Sequence, residues 1–200
     1  MPEREIYPLS KAAFVLREPV EDVRRTVERR QIQSHLVICG GRKVRAVDHK
    51  TLVFLSWANE HHADLKPALY KKFYESLRRH KGLPTEISSG TFQASLVEAV
   101  REVQARLETL HELEKQVERN AAGEPVLKGT EVEVHRIAAL RAGGMTSAEV
   151  RKDYPSLTPD QIDFASAYAA ANPKPGRPYP KLTAKEALRR ADFSALEDDD

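Results

Sequence analysis

The sequence predicts a mainly α-helical chain with one small β-hairpin near its N terminus, connecting long helices, a C-terminal three-helix domain and an extended C-terminal tail. Three observations predict this class. Apolar residues recur at helical spacing over most of the chain. The pair Gly40 and Gly41 separates two β-prone runs, and four prolines between residues 173 and 180 precede an acidic end. We therefore divide the chain into residues 1–60, 61–122, 123–172 and 173–200.

Composition places the chain among cytoplasmic globular proteins. Its 200 residues are 40% hydrophobic and 31% charged, which is typical of one or two small domains. The single cysteine, Cys39, excludes an internal disulfide framework and fits a reducing compartment. No secretory leader precedes Ile6, and no apolar run approaches the roughly 18 residues of a membrane span. We therefore expect a cytoplasmic protein with no membrane partner.

The first segment predicts two helices, a hairpin and a third helix. We expect Ser10 to cap the first helix and Pro19 to stand at the first position of the second. Gly40 and Gly41 suit a two-residue type I′ turn, which needs positive φ at both central positions. Asp48 is then the expected N-cap of the third helix. This order is typical of a helix-turn-helix module with a hairpin wing.

The stretch from Tyr7 to Ile32 resembles the opening of a MerR-type or excisionase-like winged helix. That opening has a Tyr-x-x-x-x-Ala-Ala start and a Val-x-x-Val step followed by basic residues. These landmarks fall on Tyr7, Ala12, Ala13, Val20, Val23, Arg24, Arg25, Arg29 and Arg30. The resemblance implies that the second helix enters a major groove and that the wing reaches phosphates or a minor groove.

Local charge favours DNA binding by the same segment. Residues 17–50 hold nine Lys or Arg and five Asp or Glu, a net charge of +4. Clustered cations neutralise phosphates. The alternative is a solvated helix whose arginines pair with Glu21, Asp22 and Glu28. The candidate DNA-binding residues are Arg24, Arg25, Arg29, Arg30, Arg42, Lys43 and Arg45.

The middle segment predicts two helices. In the first, basic residues alternate with aromatic residues that recur at three- and four-residue spacing, so we expect the aromatic residues in the core. The second helix is expected from about Thr91 to Asn120. Its apolar residues from Phe92 to Val117 approximate heptads. This stripe needs either the preceding helix or a second subunit, and a homodimer would match a palindromic operator.

The third segment carries the most informative motif, a Gly-x-Pro-x-x-x-Gly-Thr turn followed by Gly-Met and then Tyr-Pro-x-Leu-Thr-x-x-x-Ile. It resembles the short helical domain, long catalogued as of unknown function, of VapB-like antitoxins from type II toxin-antitoxin modules. The chain departs at Glu131 and Val132, where relatives commonly carry Arg and Ile. The landmarks are Gly123, Pro125, Gly129, Thr130, Gly144, Met145, Tyr154, Pro155, Leu157, Thr158 and Ile162.

Local signals in this segment agree with three short helices. Thr146 and Glu149 predict a capping box, and Thr158 predicts the N-cap of the last helix. Tyr154 before Pro155 predicts a break, because the residue before proline is pushed out of the helical region. Residues 123–172 hold five Lys or Arg and seven Asp or Glu. This net charge of −2 favours a protein-binding or dimer-forming role over DNA recognition.

The tail begins with a proline-rich stretch that predicts an extended linker, followed by a short amphipathic segment that folds on a partner. The antitoxin resemblance implies that this partner is a PIN-like ribonuclease with an acidic, Mg²⁺-binding pocket. Insertion of a basic side chain often blocks such a pocket, because guanidinium pairs with carboxylates. The candidate toxin-binding residues are Arg177, Leu188, Arg189, Arg190 and Phe193.

The function expected from the sequence is that of an antitoxin that neutralises a PIN-like ribonuclease toxin and represses its own operon. One alternative is a free-standing MerR-like transcriptional regulator, and another is a structural adaptor without DNA activity. An enzyme is not expected. The seven histidines form no zinc-helix motif, and phosphate-binding glycine loops and Ser or Cys nucleophile signatures are absent from the sequence. We accordingly expect no catalytic residues, no metal site and no cofactor.

Overall fold

The structure is a computed structural model, and it describes residues 5–62, 65–183 and 187. Eight α-helices and three small antiparallel sheets lie in this part of the chain, and the helices account for roughly half of it. The fold is therefore mixed, with more β-structure than the single predicted hairpin. The chain forms two compact units. Unit 1 comprises Met1–Glu112 with Ala170–Asn172, and unit 2 comprises Leu113–Ala169 with Pro173–Asp200.

Unit 1 contains the predicted order of two helices, a hairpin and a third helix, followed by a second set of elements. A three-stranded antiparallel sheet has the order β1, β3, β2, so β2 is an edge strand. The elements are β1 Ile6–Pro8, α1 Leu9–Leu16, α2 Val20–Arg29, β2 His35–Cys39, β3 Arg42–Asp48, α3 His49–Glu60, α4 Pro67–Arg79, β4 Glu86–Ser89, β5 Phe92–Ser95 and α5 Val97–Lys115.

The predicted helix starts in unit 1 are partly confirmed. The Asp48 carboxylate accepts the Thr51 amide at 2.7 Å and caps α3 as predicted. The prediction for Ser10 is wrong. Helix α1 begins earlier, after Pro8, whose extended backbone (φ −50°, ψ 148°) leads directly into Leu9. Pro19 is the N-cap of α2 and not its first helical residue.

The core of unit 1 is built around α3. Every residue from Thr51 to Ala58 is buried, so this helix is covered on all sides. The Phe54 ring lies 5.0 Å from the Tyr70 ring and 5.1 Å from the Tyr74 ring, measured between centroids. Aromatic pairs at this spacing stabilise beyond their buried area. The prediction that the aromatic residues of α4 belong to the core is confirmed.

The predicted long helix from Thr91 to Asn120 is wrong at both ends. Residues 86–95 form a second hairpin, β4–β5, and α5 begins only at Val97 and ends at Lys115. Phe92 is therefore on a strand and 60% exposed. The apolar stripe of α5, including Val103 and Leu110, is buried in the core of unit 1. It needs no second subunit to cover it.

Unit 2 contains the predicted three helices beside a small two-stranded sheet. Helix α7 ends before Tyr154, as the Tyr-Pro step predicts. The elements are β6 Val117–Arg119, β7 Pro125–Leu127, α6 Val134–Ala142, α7 Ser147–Asp153 and α8 Pro159–Ala171. Its core consists of Leu127, Val134, Ile137, Leu140, Met145, Val150, Leu157, Ile162 and Ala165.

Candidate nucleic-acid interface

Helix α2 is amphipathic and presents its basic side to solvent. Val23 and Val27, one turn apart, are 4% and 1% exposed and attach the helix to the core. The four arginines predicted to bind DNA (Arg24, Arg25, Arg29 and Arg30) are all exposed. The basic side of α2 is therefore open to solvent.

The acidic side chains of α2 nevertheless compensate much of this charge. Arg24 pairs with Glu21 at 3.1 Å, and Arg25 pairs with Asp22. These arginine side chains are 51% and 59% exposed, so each pair contributes little to stability. A phosphate can replace the carboxylate without a large cost. The alternative of a solvated, internally paired helix is thus compatible with the same geometry.

Arg30 is held differently from the other arginines of α2. Its guanidinium lies 4.9 Å from the centroid of the Tyr70 ring of α4, a cation–π contact. Burial raises the pKa of the Tyr70 phenol, and the nearby Arg30 charge opposes that rise. Arg30 therefore has a packing role in addition to its charge.

The β2–β3 hairpin lies where the sequence predicted a wing, and we call it the wing. Gly40 and Gly41 have φ of 54° and 75°, which confirms the predicted turn with two positive φ angles. Arg42, Lys43 and Arg45 are exposed on β3. The structure brings this hairpin to α2, because Arg45 lies 4.0 Å from Glu28 and also donates to the Ser34 hydroxyl at 3.3 Å.

The wing also exposes two apolar side chains that the sequence analysis did not assign. Leu36 and Ile38 on β2 are 70% and 74% exposed, and they lie opposite Arg45 and Lys43 on β3. The sequence contains a pattern that indicates this exposure. The strand HLVIC has apolar residues at successive positions, and alternate side chains of a strand point to opposite faces.

The motif residues of unit 2 serve the fold. At the end of α6, the Met145 amide donates to Leu140 O at 3.2 Å and the Gly144 amide donates to Arg141 O at 3.0 Å. Gly144 has φ of 91°. This is a Schellman motif, which requires a left-handed residue followed by an apolar one. It explains the Gly-Met landmark physically.

The other landmarks of unit 2 are caps and turns. Thr146 and Glu149 form the predicted capping box. Thr158 and Gln161 exchange equivalent bonds, with Thr158 N donating to Gln161 Oε1 at 2.9 Å and Gln161 N donating to Thr158 Oγ1 at 3.2 Å. Thr130 closes the Gly-Thr turn by donating its hydroxyl to Leu127 O at 2.8 Å. The hydrogen bonds of these residues fix the starts of helices and the shape of the turn.

Residues 173–181, which we call the strap, return to the surface of unit 2. Lys174 Nζ lies 2.9 Å from both carboxylate oxygens of Glu124 and 4.7 Å from the centroid of the Tyr179 ring. The Tyr179 hydroxyl donates to Glu133, and Arg136 Nη1 donates to Pro180 O at 3.0 Å. The bond from Lys174 lowers the pKa of the Glu124 carboxyl. The residues of the strap form no helix or strand, as the predicted extended linker requires, but they also contact unit 2, which the sequence did not predict.

The predicted toxin-binding residues fall mainly beyond the described residues. Arg177 is exposed within the strap. Leu188, Arg189, Arg190 and Phe193 lie outside the residues that the structure describes. Nothing in the structure therefore bears on their proposed contacts.

Two further observations concern the described residues as a whole. Among them, no group of three or more His, Cys, Asp or Glu side chains is arranged to hold a metal ion. Every helix in the same ranges is too short or too polar to cross a lipid bilayer.

The family match lies in unit 2. Residues 118–169 match the family described as a protein of unknown function, DUF433. The chain is also similar to the uncharacterized protein y4eO of Sinorhizobium fredii (strain NBRC 101917 / NGR234), with 44% identity over 55 residues. That match covers 28% of this chain and 25% of the relative. No solved structure gives a significant match.

Proposed function

We propose that this chain is a cytoplasmic antitoxin of a type II toxin-antitoxin module. Its tail neutralises a PIN-like ribonuclease toxin, and unit 1 binds operator DNA and represses the operon. The observation that carries the proposal is that one chain combines two features. One is an exposed basic helix beside a basic wing. The other is a C-terminal domain with the turn and cap pattern of VapB-like antitoxins. The DUF433 match covers residues 118–169 and assigns them no activity.

DNA binding is proposed for the exposed side of α2 and the wing. In a winged-helix arrangement, α2 enters the major groove, where Arg24 or Arg25 pairs with guanine edges after releasing its carboxylate partner. Arg42 and Lys43 have no ion pair within the part of the chain that the structure describes. DNA phosphates can therefore pair with them without displacing a carboxylate. A homodimer would present two copies of α2 to a palindromic site.

The toxin-binding role rests on the resemblance and on the chemistry of the tail. An arginine from the tail would enter the acidic pocket of the ribonuclease and pair with its carboxylates. Arg189 and Arg190 are the first candidates, with Leu188 and Phe193 as apolar anchors. Arg177 is a weaker candidate, because its neighbours in the strap are held on unit 2.

The DNA-binding proposal is tested with a quadruple variant, Arg24→Ala, Arg25→Ala, Arg29→Ala and Arg30→Ala. We expect it to lower the affinity for duplex DNA and to reduce the dependence of log K on log salt by up to about 0.9 for each lost phosphate contact. A variant that replaces Arg24 and Arg25 alone separates their contribution from the packing role of Arg30. If the quadruple variant and the native protein show the same dependence of log K on log salt, α2 does not contact DNA phosphates.

The toxin-binding proposal is tested by shortening the chain after Thr183. This truncation keeps the strap and its contacts with unit 2, so loss of neutralisation cannot be attributed to a damaged domain. We expect the shortened chain to bind DNA normally and to fail to rescue growth from the toxin. Rescue by the shortened chain would show that the segment after Thr183 is not the inhibitor.

The second candidate function is a MerR-like regulator without a toxin partner. The observation that favours it is the strap. Because residues 174–180 contact unit 2 of the same chain, less of the tail is available to a partner than an extended linker would provide. In that case unit 2 would be a protein-binding or self-associating module.

A further inference from the structure

Helix α4 and its flanks carry a larger net positive charge than α2. Residues 65–81 hold six Lys or Arg and a single acidic residue, Glu75. Residues 20–30, which contain α2, hold four arginines and three acidic residues. The resulting net charges are +5 and +1. The acidic residues therefore offset less of the positive charge around α4 than around α2.

The geometry of α4 places these cations on one side. Tyr70, Phe73, Tyr74 and Leu77 recur at three- and four-residue spacing and are all buried. Lys71, Lys72, Arg78 and Arg79 lie on the opposite side and are exposed. At 100° per residue these four positions fall within an arc of about 120° and extend over about 12 Å of helix. Together they form the α4 basic face.

The cations of this face are available to a ligand. None of the four has a salt bridge within residues 5–62, 65–183 and 187, whereas Arg24 and Arg25 on α2 are both paired. Glu75, which lies in the middle of the face, is exposed and removes one unit of charge. The face still keeps a net charge of +3.

The chemistry of the face favours duplex DNA over other polyanions. Single-stranded nucleic acids are held by stacking on exposed aromatic rings, and the aromatic rings of α4 are buried in the core. Protein interfaces have an apolar centre and are depleted in lysine. The exposed positions from Lys71 to Arg79 are charged and include no large apolar side chain. Such a surface suits the regularly spaced phosphates of a duplex.

Helix α4 packs against the end of the proposed DNA-binding helix through its aromatic side. Arg30, at the end of α2, lies over the ring of Tyr70 on α4 at 4.9 Å. The Gln33 amide, which follows α2, donates to the Tyr74 hydroxyl at 3.0 Å. These contacts fix α4 against the connection between α2 and the wing.

Unit 1 also repeats one arrangement. Helix α2, the hairpin β2–β3 and helix α3 are followed by helix α4, the hairpin β4–β5 and helix α5. In the first half both the helix and the hairpin carry cations. In the second half the hairpin has none, and the charge is on α4. The two halves thus offer two basic helices in equivalent chain positions.

We infer that the α4 basic face is a second contact for duplex DNA, which holds phosphates of the DNA backbone. The inference rests on the proposed function in that it takes DNA as the ligand of unit 1. In this arrangement α4 supplies affinity without sequence preference, and α2 supplies the base contacts.

The test uses the full chain and a labelled duplex of roughly 30 base pairs, with affinity measured between about 50 and 200 mM salt. The test variants are Lys71→Ala with Lys72→Ala, Arg78→Ala with Arg79→Ala, and all four together. The matched control is Arg151→Ala with Lys152→Ala, which removes two exposed cations from α7. Replacing Lys71 and Lys72 with arginine keeps the charge and should preserve binding.

If all four residues contact phosphates, the quadruple variant should lower the salt slope by about 3.6. Over a fourfold rise in salt, the factor by which the affinity of the native protein falls is then about 150 times the factor for the variant. The control should keep the native slope. Each double variant should lower the slope by about half as much as the quadruple variant.

Three results would overturn the inference. If the α4 variants keep the slope of the control while the α2 variant lowers it, α4 is not a DNA contact and the proposed function stands. If the α4 variants lose affinity for single-stranded oligonucleotides as strongly as for the duplex, the ligand class is wrong. If the native protein does not bind duplex DNA at the lowest salt, the DNA part of the proposed function fails together with the inference.

Discussion

Replacing either of two adjacent glycines at the end of α6 with alanine should have a different effect on the structure. Gly143 has φ of −81° and ψ of 0°, which any residue adopts, but an added Cβ would lie 1.9 Å from the Lys181 carbonyl oxygen of the strap. Gly144 has φ of 91°, which L side chains rarely adopt, and an added Cβ would meet nothing within 4 Å. Gly143→Ala should therefore release the strap, whereas Gly144→Ala should strain the helix end.

The two free-energy changes are of similar size. Gly144→Ala should cost about 1–2 kcal/mol for the left-handed backbone. Gly143→Ala should weaken the bonds from Tyr179 to Glu133 and from Arg136 to Pro180, worth about 0.5–1.5 kcal/mol each. Replacing glycine with alanine also lowers the conformational entropy of the unfolded chain, which stabilises the folded state by about 0.4–1 kcal/mol and offsets part of this cost. Global unfolding therefore does not separate the two variants.

Tryptic cleavage after Lys181 does separate them. Cleavage of a locally opened segment follows the population of the open state. Loss of about 1–3 kcal/mol of strap contacts corresponds to a cleavage rate roughly 5–150 times faster. We expect this increase for Gly143→Ala and a rate near the native one for Gly144→Ala. A faster rate for Gly144→Ala alone, or an unchanged rate for Gly143→Ala, would refute the docking of the strap.

Two further predictions concern single contacts. Lys174 lowers the pKa of Glu124, so the pair contributes stability above the unfolded-state pKa of about 4.3, and this contribution is lost as the pH falls through the folded-state pKa. The Lys174 amide resonance should therefore shift at acidic pH in the native protein and lose that transition in Glu124→Gln; a transition that persists in the variant would contradict the pairing. Asp48→Ala should cost about 1 kcal/mol, because the Thr51 amide loses its cap, as measured by urea unfolding followed through Trp57 fluorescence. A change of less than about 0.3 kcal/mol would show that the cap contributes little.

Local signals in the sequence predicted local structure well. Gly40 and Gly41 determine the wing turn, Asp48 determines the start of α3, and Thr146 with Glu149 determines the start of α7. Each feature depends on residues within four positions of one another. The same holds for the break at Tyr154, which follows from the proline after it.

Features that depend on distant residues were missed. In the second hairpin, residues 86–95 are rich in Ser and Thr, and Ile87 is its one fully buried side chain. Its pairing depends on packing against α4, which no local pattern reports. The strap likewise depends on Lys174 reaching Glu124, 50 residues earlier. The prolines indicated an extended backbone and gave no information about the surface it contacts.

The candidate site was predicted in part. The sequence located the exposed arginines of α2 and the cations of the wing, because charge and helical period are visible in it. It also offered the pairing of these arginines with Glu21 and Asp22 as an alternative, which Arg24 and Arg25 adopt, but it did not show that Arg30 lies over Tyr70. The basic character of α4 was visible, but its importance depended on knowing that the aromatic rings are buried and the cations exposed.

The most direct test of the antitoxin proposal is co-expression of this chain with the product of the adjacent reading frame, with growth and co-elution on size exclusion measured together. The proposal predicts that the neighbour alone arrests growth, and that the pair co-elutes and restores growth. A harmless neighbour, or one that does not associate with this chain, would contradict the antitoxin function.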